Sequence, residues 1–474
     1  MSEQDLCHAS ATELSRLLRA REVSAREVLA AHLTRIDRVN PRLNAIVTLT
    51  PEIAEARALA CDEALTHGRV LGPLHGLPVA HKDLVETAGV RTTYGSTAYA
   101  DHVPALDHLV VRRARDAGAV MLGKTNTPEW GTGSHTDNRV FGLTRNPWAP
   151  DRTAGGSSGG AAAALAARLV PLADGSDMGG SLRNPASFCN VVGLRPSIGR
   201  VPAWPAADAW FTQSVTGPMA RTVEDLALYL SVLAQPDRHS PLAGWGPAEQ
   251  FTGSLERELA GVRVAWSPDL GGLAVDTDVR AAMAPGRGVL VDLGCAVADR
   301  DPDLTDADDV FRTWRSWWYA LALGDLYRER PEEFGEAAAW NIRAGLALTG
   351  ADLIDAGRRR TALYHRFAEF LEDSEFLVTL VSPVTPFPGD RSYPLTVAGE
   401  PQETYLDWMR GCYWISATGM PAASVPFAFT PAGLPVGLQI VGRTGDDLGV
   451  LQLAYAIERA TGTGARVPRL PADR

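Results

Sequence analysis

The sequence predicts an α/β fold, with a mixed central sheet flanked by helices and a helical insertion in the second half of the chain. From about residue 70, short apolar runs alternate with glycine-rich turns and helix-like stretches, as at 119–122, 169–173 and 262–266. Between residues 305 and 375 the strand signals stop, and Ala, Arg, Glu, Leu and Trp dominate. We therefore expect a strand-rich core interrupted by a helical lobe.

Helices are predicted at the start of the chain. Ser10 and Ser24 are each followed three residues later by a glutamate and then by an amphipathic run, which is the pattern of a capped helix start. The pair Asn40 and Pro41 predicts the end of the second of these helices, because proline cannot donate a helical hydrogen bond.

A single domain is expected over residues 1–474. Within it we distinguish N-terminal helices at 1–70, a core at 70–235, the helical insertion at 305–375 and a C-terminal part of the core at 376–474. This last part contains three strand-like runs, at 376–381, 422–429 and 437–441, and a closing amphipathic helix. No Ser/Gly-rich tether marks the ends of the insertion, which favours one compact unit over independent domains.

The composition is that of a globular protein and argues against several functional classes. Hydrophobic residues make up 45% and charged residues 21% of the 474 residues, so neither a disordered chain nor a coiled coil is expected. The formal net charge is −11, which argues against binding to nucleic acid or to an anionic membrane surface. No apolar run reaches the roughly 18–20 residues that a membrane span needs.

Cysteine usage and the N-terminus bear on location and cofactors. Five scattered cysteines without a C-x-x-C pair argue against a disulfide framework or a thiolate metal site. None of the ten histidines shows the spacing of a zinc site. The first ten residues are polar and acidic, unlike a secretory signal. We therefore expect a cytoplasmic protein that uses no metal and no cofactor.

Lysine is unusually rare in this chain. Of the 45 basic residues, only Lys82 and Lys124 are lysines, and the rest are arginines. Arginine does not lose its proton in a protein, whereas a desolvated lysine can. The two lysines are therefore candidate bases, with codon bias as the alternative explanation.

Three local patterns suggest catalysis but lack the context that each mechanism needs. Residues 118–125 match the phosphate-loop pattern, yet their variable positions are Ala-Val-Met-Leu, which favour a strand and make Lys124 a structural or solvated residue. Residues 156–160 match the nucleophile elbow G-x-S-x-G, but polar residues precede them. Cys189 lies in an apolar stretch, where a buried inert thiol is favoured over a nitrilase-type nucleophile.

The segment 155–195 holds the strongest signal for a catalytic site. Two loops of small residues are separated by one helix–strand unit, so they can meet in space. Gly179 and Gly180 allow the backbone to turn its N–H groups toward one point, which suits an oxyanion hole. Ser181 would then lie beside that hole.

Four ordered segments of the chain resemble the amidase signature family. Each is rich in glycine or contains one of the candidate residues, and they occupy residues 72–83, 123–129, 154–160 and 177–183. Weaker matches follow at 191–196, 418–422 and 433–442, so the resemblance covers about residues 10–235 and 376–460. His81 and Ser176 depart from the residues usual in the family, which affects the expected specificity and not the catalytic positions.

The resemblance implies a Ser–cis-Ser–Lys triad. Ser181 falls on the nucleophile, Ser157 on the bridging serine that follows a cis peptide bond, and Lys82 on the base. A lysine takes a proton at neutral pH only when uncharged, so we expect Lys82 to be buried and neutral. The resemblance further implies orienting residues and an oxyanion hole of backbone N–H groups, at Ser158, Asp177 and Arg183 and at Met178, Gly179, Gly180 and Ser181 respectively.

The activity implied by the resemblance is hydrolysis of a carboxylic acid amide to an acid and ammonia or an amine, through an acyl-enzyme on Ser181. Tryptophans in the insertion favour an apolar pocket, or else core packing, and we expect a small uncharged aliphatic or aryl amide as substrate. The alternative is the glutamine-hydrolysing A-type subunit of a tRNA amidotransferase, which requires partner subunits and a charged pocket. The oligomeric state is left open, with a homodimer among the alternatives.

Overall fold

An eleven-stranded sheet crosses the computed structural model, which describes residues 2–470. A separate two-stranded hairpin lies in the second half of the chain. The strands of this part of the chain are β1 (Ile46–Leu49), β2 (Pro78–Lys82), β3 (Val120–Thr125), β4 (Leu172–Asp177), β5 (Val192–Arg195), β6 (Val215–Ala220), β7 (Arg263–Ser267), β8 (Ala296–Asp299), β9 (Phe376–Leu380), β10 (Thr396–Val397), β11 (Glu400–Pro401), β12 (Ala422–Phe429) and β13 (Pro435–Val441).

The large sheet is mixed, as the sequence predicts. Its strand order is β1-β3-β2-β4-β6-β5-β12-β13-β9-β7-β8. Strand β2 is parallel to β3 and to β4, and β7 is parallel to β8 and to β9, while the other neighbouring pairs are antiparallel. Strands β2, β5, β9 and β13 are buried along their whole length, and β9 and β13 are accordingly almost entirely apolar.

Helices surround this sheet and share its hydrophobic core. Among the described residues, none of the helices is both long and apolar enough to cross a membrane. The α-helices are α1 (Glu3–His8), α2 (Ala11–Arg19), α3 (Ala25–Leu43), α4 (Pro51–Thr66), α5 (Leu109–Asp116), α6 (Gly159–Ala166), α7 (Arg183–Cys189), α8 (Val223–Leu233), α9 (Thr277–Met283), α10 (Gly286–Asp292), α11 (Ala307–Glu329), α12 (Glu336–Leu346), α13 (Gly350–Asp373), α14 (Arg410–Thr418) and α15 (Asp447–Thr461).

The N-terminal segment differs from the sequence prediction at two points. Pro41 does not end α3, because the helix continues to Leu43 and stops where Asn44 adopts a left-handed conformation. A proline in the last turn removes one helical hydrogen bond, and the short remainder of the helix tolerates that loss. The segment expected to be purely helical also contains β1, which pairs antiparallel with β3 at the edge of the sheet.

The stretch 307–373 contains the three helices α11, α12 and α13. Helices α11 and α12 approach so closely that a Cβ added at Gly345 would lie 1.9 Å from the carbonyl oxygen of Ser316. Their facing side chains, including Tyr319 and Ile342, form a small apolar cluster separate from the main core. The position of α11 is thereby fixed by its contact with α12. Its residues Phe311 and Arg315 lie next to the loop after β4.

Candidate active site

Lys82, the last residue of β2, has its side-chain amine at the centre of a group of serine hydroxyls. Its Nζ lies 2.7 Å from Ser157 Oγ and 3.0 Å from both Ser158 Oγ and Ser176 Oγ. The lysine is fully buried. No carboxylate of residues 2–470 forms an ion pair with it, so its contacts at the amine are neutral hydroxyls.

Burial lowers the pKa of Lys82 to about 7, although Asp177 and Asp174 act in the opposite direction. At neutral pH a large share of the molecules therefore carries the uncharged amine. Three hydroxyl contacts also suit a neutral amine, which has two hydrogens to donate and one lone pair to accept a proton. With Ser158 and Ser176 as acceptors of its two hydrogens, a neutral amine would keep its lone pair for the hydroxyl of Ser157.

The loop that carries Ser157 leads directly into α6, and the Gly156–Ser157 peptide bond is cis. The hydroxyls of Ser134 and Thr136 hold this loop through hydrogen bonds to its backbone. Ser134 Oγ donates to the Gly156 carbonyl at 2.7 Å, and Thr136 Oγ1 donates to the Gly155 carbonyl at 2.7 Å. Sequence reasoning missed both residues, because nothing local to residues 134–136 indicates contact with a loop twenty residues later.

Ser181 lies in the turn between β4 and α7, and it is partly exposed. The two serine loops are tied together because the Ser158 N–H donates to the Ser181 carbonyl at 3.2 Å. Ser157 and Ser181 line the same cavity. Within residues 2–470, the hydroxyl of Ser181 makes no hydrogen bond, which leaves it accessible from that cavity.

Asp177 organises the turn that presents Ser181. Its carboxylate accepts the backbone N–H of Gly180 at 2.9 Å and of Leu182 at 3.2 Å. It also forms two hydrogen bonds with the buried guanidinium of Arg183, at 3.0 and 2.9 Å. Although burial opposes ionisation, Arg183 and the other donors hold the pKa of Asp177 well below its usual range. The turn is therefore built around a permanently charged pair.

The expected oxyanion hole is altered at one position. The N–H of Gly180 donates to Asp177 and is not free to meet a substrate oxygen, because the turn folds back on that carboxylate. The N–H groups of Met178, Gly179 and Ser181 remain as candidate donors. Gly180 has a φ of +111°, and a Cβ there would lie 2.4 Å from Cys412 Cβ, so this turn excludes larger residues.

A second carboxylate, that of Asp174, contacts the backbone of Lys82 and the side chain of His81. Its Oδ1 accepts the backbone N–H of Lys82 at 3.1 Å, and its Oδ2 contacts His81 Nδ1. Tyr229 donates its hydroxyl to the same Oδ2 at 3.2 Å. His81, noted above as unusual for the family, is therefore a buried partner of Asp174 on the side of β2 facing away from the serines.

The cavity above the serines has a volume of about 650 Å³. Its apolar walls are formed by Leu84, Trp130, Phe211, Trp318, Leu323 and Leu326. Of the tryptophans in the helical insertion, Trp318 lines this cavity, whereas Trp314 lines a different one. Trp408 is buried in the main core. The tryptophan-rich composition therefore serves partly the cavity and partly the core.

Two of the rejected patterns, those of Lys124 and Cys189, have structural explanations. Lys124 lies within strand β3, fully buried, where its amine donates to the Val85 carbonyl and to Thr87 Oγ1. It is a structural residue and is not solvated. Burial raises the pKa of the Cys189 thiol, which lies in the main core and donates to the Ala154 carbonyl at 3.5 Å. In the described chain, no cluster of three or more His, Cys, Asp or Glu side chains could hold a metal ion.

Comparison with known proteins places the chain in a family. A family model described as "Amidase" matches residues 27–451. The chain belongs to the amidase signature family. An aryl acylamidase of this family from a bacterium has a structure that superposes with a TM-score of 0.92 at 28% identity, covering 98% of this chain and 99% of that one.

Two kinds of curated protein are similar to this amidase signature chain. An acylamidase from Rhodococcus erythropolis is 36% identical over 97% of this chain and 96% of its own length. The A-type subunit of the glutamyl-tRNA(Gln) amidotransferase of Moorella thermoacetica is also 36% identical, over 98% of this chain and 99% of its own length. Overall identity therefore does not separate amide hydrolases from amidotransferase subunits.

Proposed function

We propose that this protein hydrolyses a carboxylic acid amide through an acyl-enzyme on Ser181, with Ser157 relaying protons to and from Lys82. The observation that carries this proposal is the 2.7 Å contact between Lys82 Nζ and Ser157 Oγ, made by a buried amine. Because burial lowers the pKa of that amine to about 7, it can accept a proton near neutral pH.

In the acylation half of the reaction, Ser181 Oγ attacks the amide carbonyl carbon. Its proton passes to Ser157 Oγ while the proton of Ser157 passes to Lys82 Nζ. Backbone N–H groups of Met178, Gly179 and Ser181 stabilise the negative oxygen of the tetrahedral intermediate. As the C–N bond breaks, Ser157 gives its proton to the leaving nitrogen and regains one from Lys82.

In the second half, water attacks the ester carbonyl of the acyl-enzyme. The same relay takes a proton from the water and returns one to Ser181 Oγ as the C–O bond breaks. The products are the carboxylic acid and the ammonia or amine released earlier. The reaction requires no other reactant than water.

The proposed substrate carries an aliphatic or aryl group beside the amide. Trp130, Phe211 and Trp318 support this, because aromatic walls favour apolar ligand surfaces. The similarity to an acylamidase and to an aryl acylamidase supports the same class.

A second candidate is the glutamine-hydrolysing subunit of a tRNA amidotransferase, which the similarity to A-type amidotransferase subunits favours. The two candidates differ in substrate and in dependence on partners. The isolated chain should release amine from anilides without partner proteins if it is an amidase. If the chain instead acts on glutamine and on no anilide, and releases ammonia only when partner subunits are added, the second candidate is supported.

The test of the proposed function is the change Lys82→Met. We expect the turnover of an anilide to fall roughly a thousandfold, because the general base is removed. The matched control is Lys124→Met, which removes the other buried lysine and should leave turnover per folded molecule within a few-fold. Undiminished turnover in K82M, with its thermal unfolding midpoint unchanged, would overturn the assignment of Lys82 as the base.

A further inference from the structure

Arg315 is a buried arginine in the wall of the catalytic cavity. It projects from α11, its exposed fraction is 4%, and it lines the same cavity as Ser157 and Ser181. No carboxylate in residues 2–470 lies within ion-pair distance of its guanidinium. The neighbouring Arg312 on the same helix shows the contrast, because it pairs with Asp308 and Asp407 at 2.6 Å each.

The partners of the Arg315 guanidinium are all neutral. Nε donates to Asn341 Oδ1 at 3.1 Å, and Nη2 donates to the hydroxyls of Tyr319 and Tyr405 at 3.2 and 2.9 Å. Burial raises the pKa of Tyr319, so this phenol stays protonated and provides no negative charge. The protein therefore solvates the charge of Arg315 with dipoles but does not neutralise it.

The Nη1 end of Arg315 is the unsatisfied part of the group. A guanidinium has five N–H donors, of which two belong to Nη1. The acceptor for Nη1 is the thioether sulfur of Met178 at 3.3 Å, which is a weak acceptor. A buried charge without a counter-ion is costly, whereas pairing with a carboxylate through two hydrogen bonds offsets that cost.

This end of Arg315 lies beside the reacting groups. Met178 is three residues before Ser181 and is one of the candidate oxyanion-hole positions. Phe311, one turn earlier on α11, packs on the same loop, since a Cβ at Gly179 would lie 2.9 Å from its ring. A group bound at Nη1 would therefore belong to the part of the substrate close to the amide under attack.

Two acidic side chains also line the cavity, Glu86 and Asp208. Neither forms an ion pair with Arg315, and Glu86 accepts the hydroxyl of Tyr94 at 2.6 Å. Neither of these carboxylates therefore neutralises the guanidinium of Arg315, which is available to a bound ligand. The cavity combines apolar walls with one cationic group.

We infer that Arg315 is a carboxylate-binding subsite, and that the preferred substrates are amides with a carboxylate within a few bonds of the scissile carbonyl. This inference rests on the proposed function and names its substrate class more closely. The inferred substrate differs from the uncharged amide expected from the sequence. The reason is that the cavity, although largely lined by apolar residues, also contains the guanidinium of Arg315, which has no counter-ion among the described residues.

The test compares matched substrates in two pairs. In one pair, N-phenylsuccinamic acid and N-phenylpentanamide differ in a carboxylate on the acyl side. In the other, N-benzoylglycine and N-propylbenzamide differ in a carboxylate on the amine side. We expect the wild-type protein to show at least a tenfold higher kcat/KM for the acid in one pair. A hydrogen bond to a charged group contributes enough free energy to change kcat/KM by about that factor or more.

The variant Arg315→Met should lower the acid-to-neutral ratio of kcat/KM about ten- to a hundredfold, and Arg315→Lys should restore part of it. The ratio cancels any general loss of active protein. Arg312→Met is the matched control, because this arginine does not line the cavity, and it should leave the ratio unchanged. Equal ratios in wild type and R315M would overturn the inference.

A binding measurement separates this inference from the proposed function. Calorimetry with Ser181→Ala should detect the acid bound more tightly than its neutral counterpart in the pair that shows the kinetic preference, and the difference should vanish in the double variant with Arg315→Met. If no amide is hydrolysed but this difference is present, the proposed function fails and the subsite stands. If amides are hydrolysed and the acid binds no better than the neutral amide, the subsite fails alone.

Discussion

At the scale of single residues, the rarity of lysine by itself makes Lys82 a candidate base. Ser157 and Ser181 line one cavity, and the amine of Lys82 lies buried against Ser157 among neighbouring hydroxyls. The same rarity argument selected Lys124 equally, and composition cannot distinguish a base from a structural amine. What differs is the surroundings, because Lys124 faces a backbone carbonyl and a threonine away from the cavity.

The charge state of Lys82 predicts the pH dependence of the reaction. Because the base must be uncharged, kcat/KM for a neutral anilide should rise with pH and level off above a pKa of about 7. Asp174 raises the pKa of Lys82, so Asp174→Asn should shift this rise to lower pH. A pH–rate profile of both proteins checks this. A rise centred near the ordinary lysine pKa of ~10.4 would mean a solvated ammonium group.

Residues that act through the triad could not be predicted from local sequence. Ser176 appeared only as a departure from the family pattern, yet its hydroxyl lies 3.0 Å from Lys82 Nζ. Arg315 gave no signal, because a single arginine in a helix rich in arginine is indistinguishable from a solvated one. Its importance depends on the absence of a carboxylate nearby, which is a property of the packed chain.

At the scale of elements, the apolar runs predicted the buried strands well. Strand β12 has the predicted bounds, and β13 and β9 differ from them by one or two residues at an end. Strand β1 was missed because its four residues lie between two helices and pair only at the edge of the sheet. Short edge strands bury little apolar surface, so periodicity carries little information about them.

The close contact between α11 and α12 predicts opposite effects of two glycine substitutions in the insertion. Gly345→Ala should lower the free energy of unfolding by about 2 kcal/mol, because the new Cβ would overlap the Ser316 carbonyl and force the helices apart. Gly357→Ala on α13 has open space around the new Cβ and should raise it by up to about 1 kcal/mol. Denaturant unfolding measures both.

Because α11 carries Arg315, the substitution Gly345→Ala should also affect catalysis. Displacement of α11 in G345A should raise KM for the preferred acid more than for the neutral amide. Equal stability of G345A and G357A would contradict the close helix contact.

At the scale of the whole molecule, the candidate site is assembled from segments far apart in the sequence. The ends of β2 and β4 and the loop before α6 meet above the sheet, and α11 closes one side. The α/β fold was predicted from alternating strand-like and helix-like segments, and membership in the amidase signature family from four ordered motifs; both are confirmed. The division into subregions and the roles of the site residues stay predictions.

The cavity wall could not be predicted in the same way. The helical insertion has no specific family motif, and it contributes both Trp318 and Arg315 to the cavity. Which face of α11 meets the cavity depends on its close contact with α12 at Gly345. The sequence therefore predicts the reaction more closely than the substrate.

The central claim is that Ser181 is the nucleophile, and trapping the acyl-enzyme tests it most directly. Trypsin cleaves after Arg152, Arg168, Arg183 and Arg200, so Ser157, Ser181 and Cys189 fall on three different peptides. After reaction with an activated aryl ester and acid quenching, mass spectrometry should find the acyl group on peptide 169–183 and not in the Ser181→Ala variant. An acyl group on peptide 184–200 instead, at Cys189, would contradict the account.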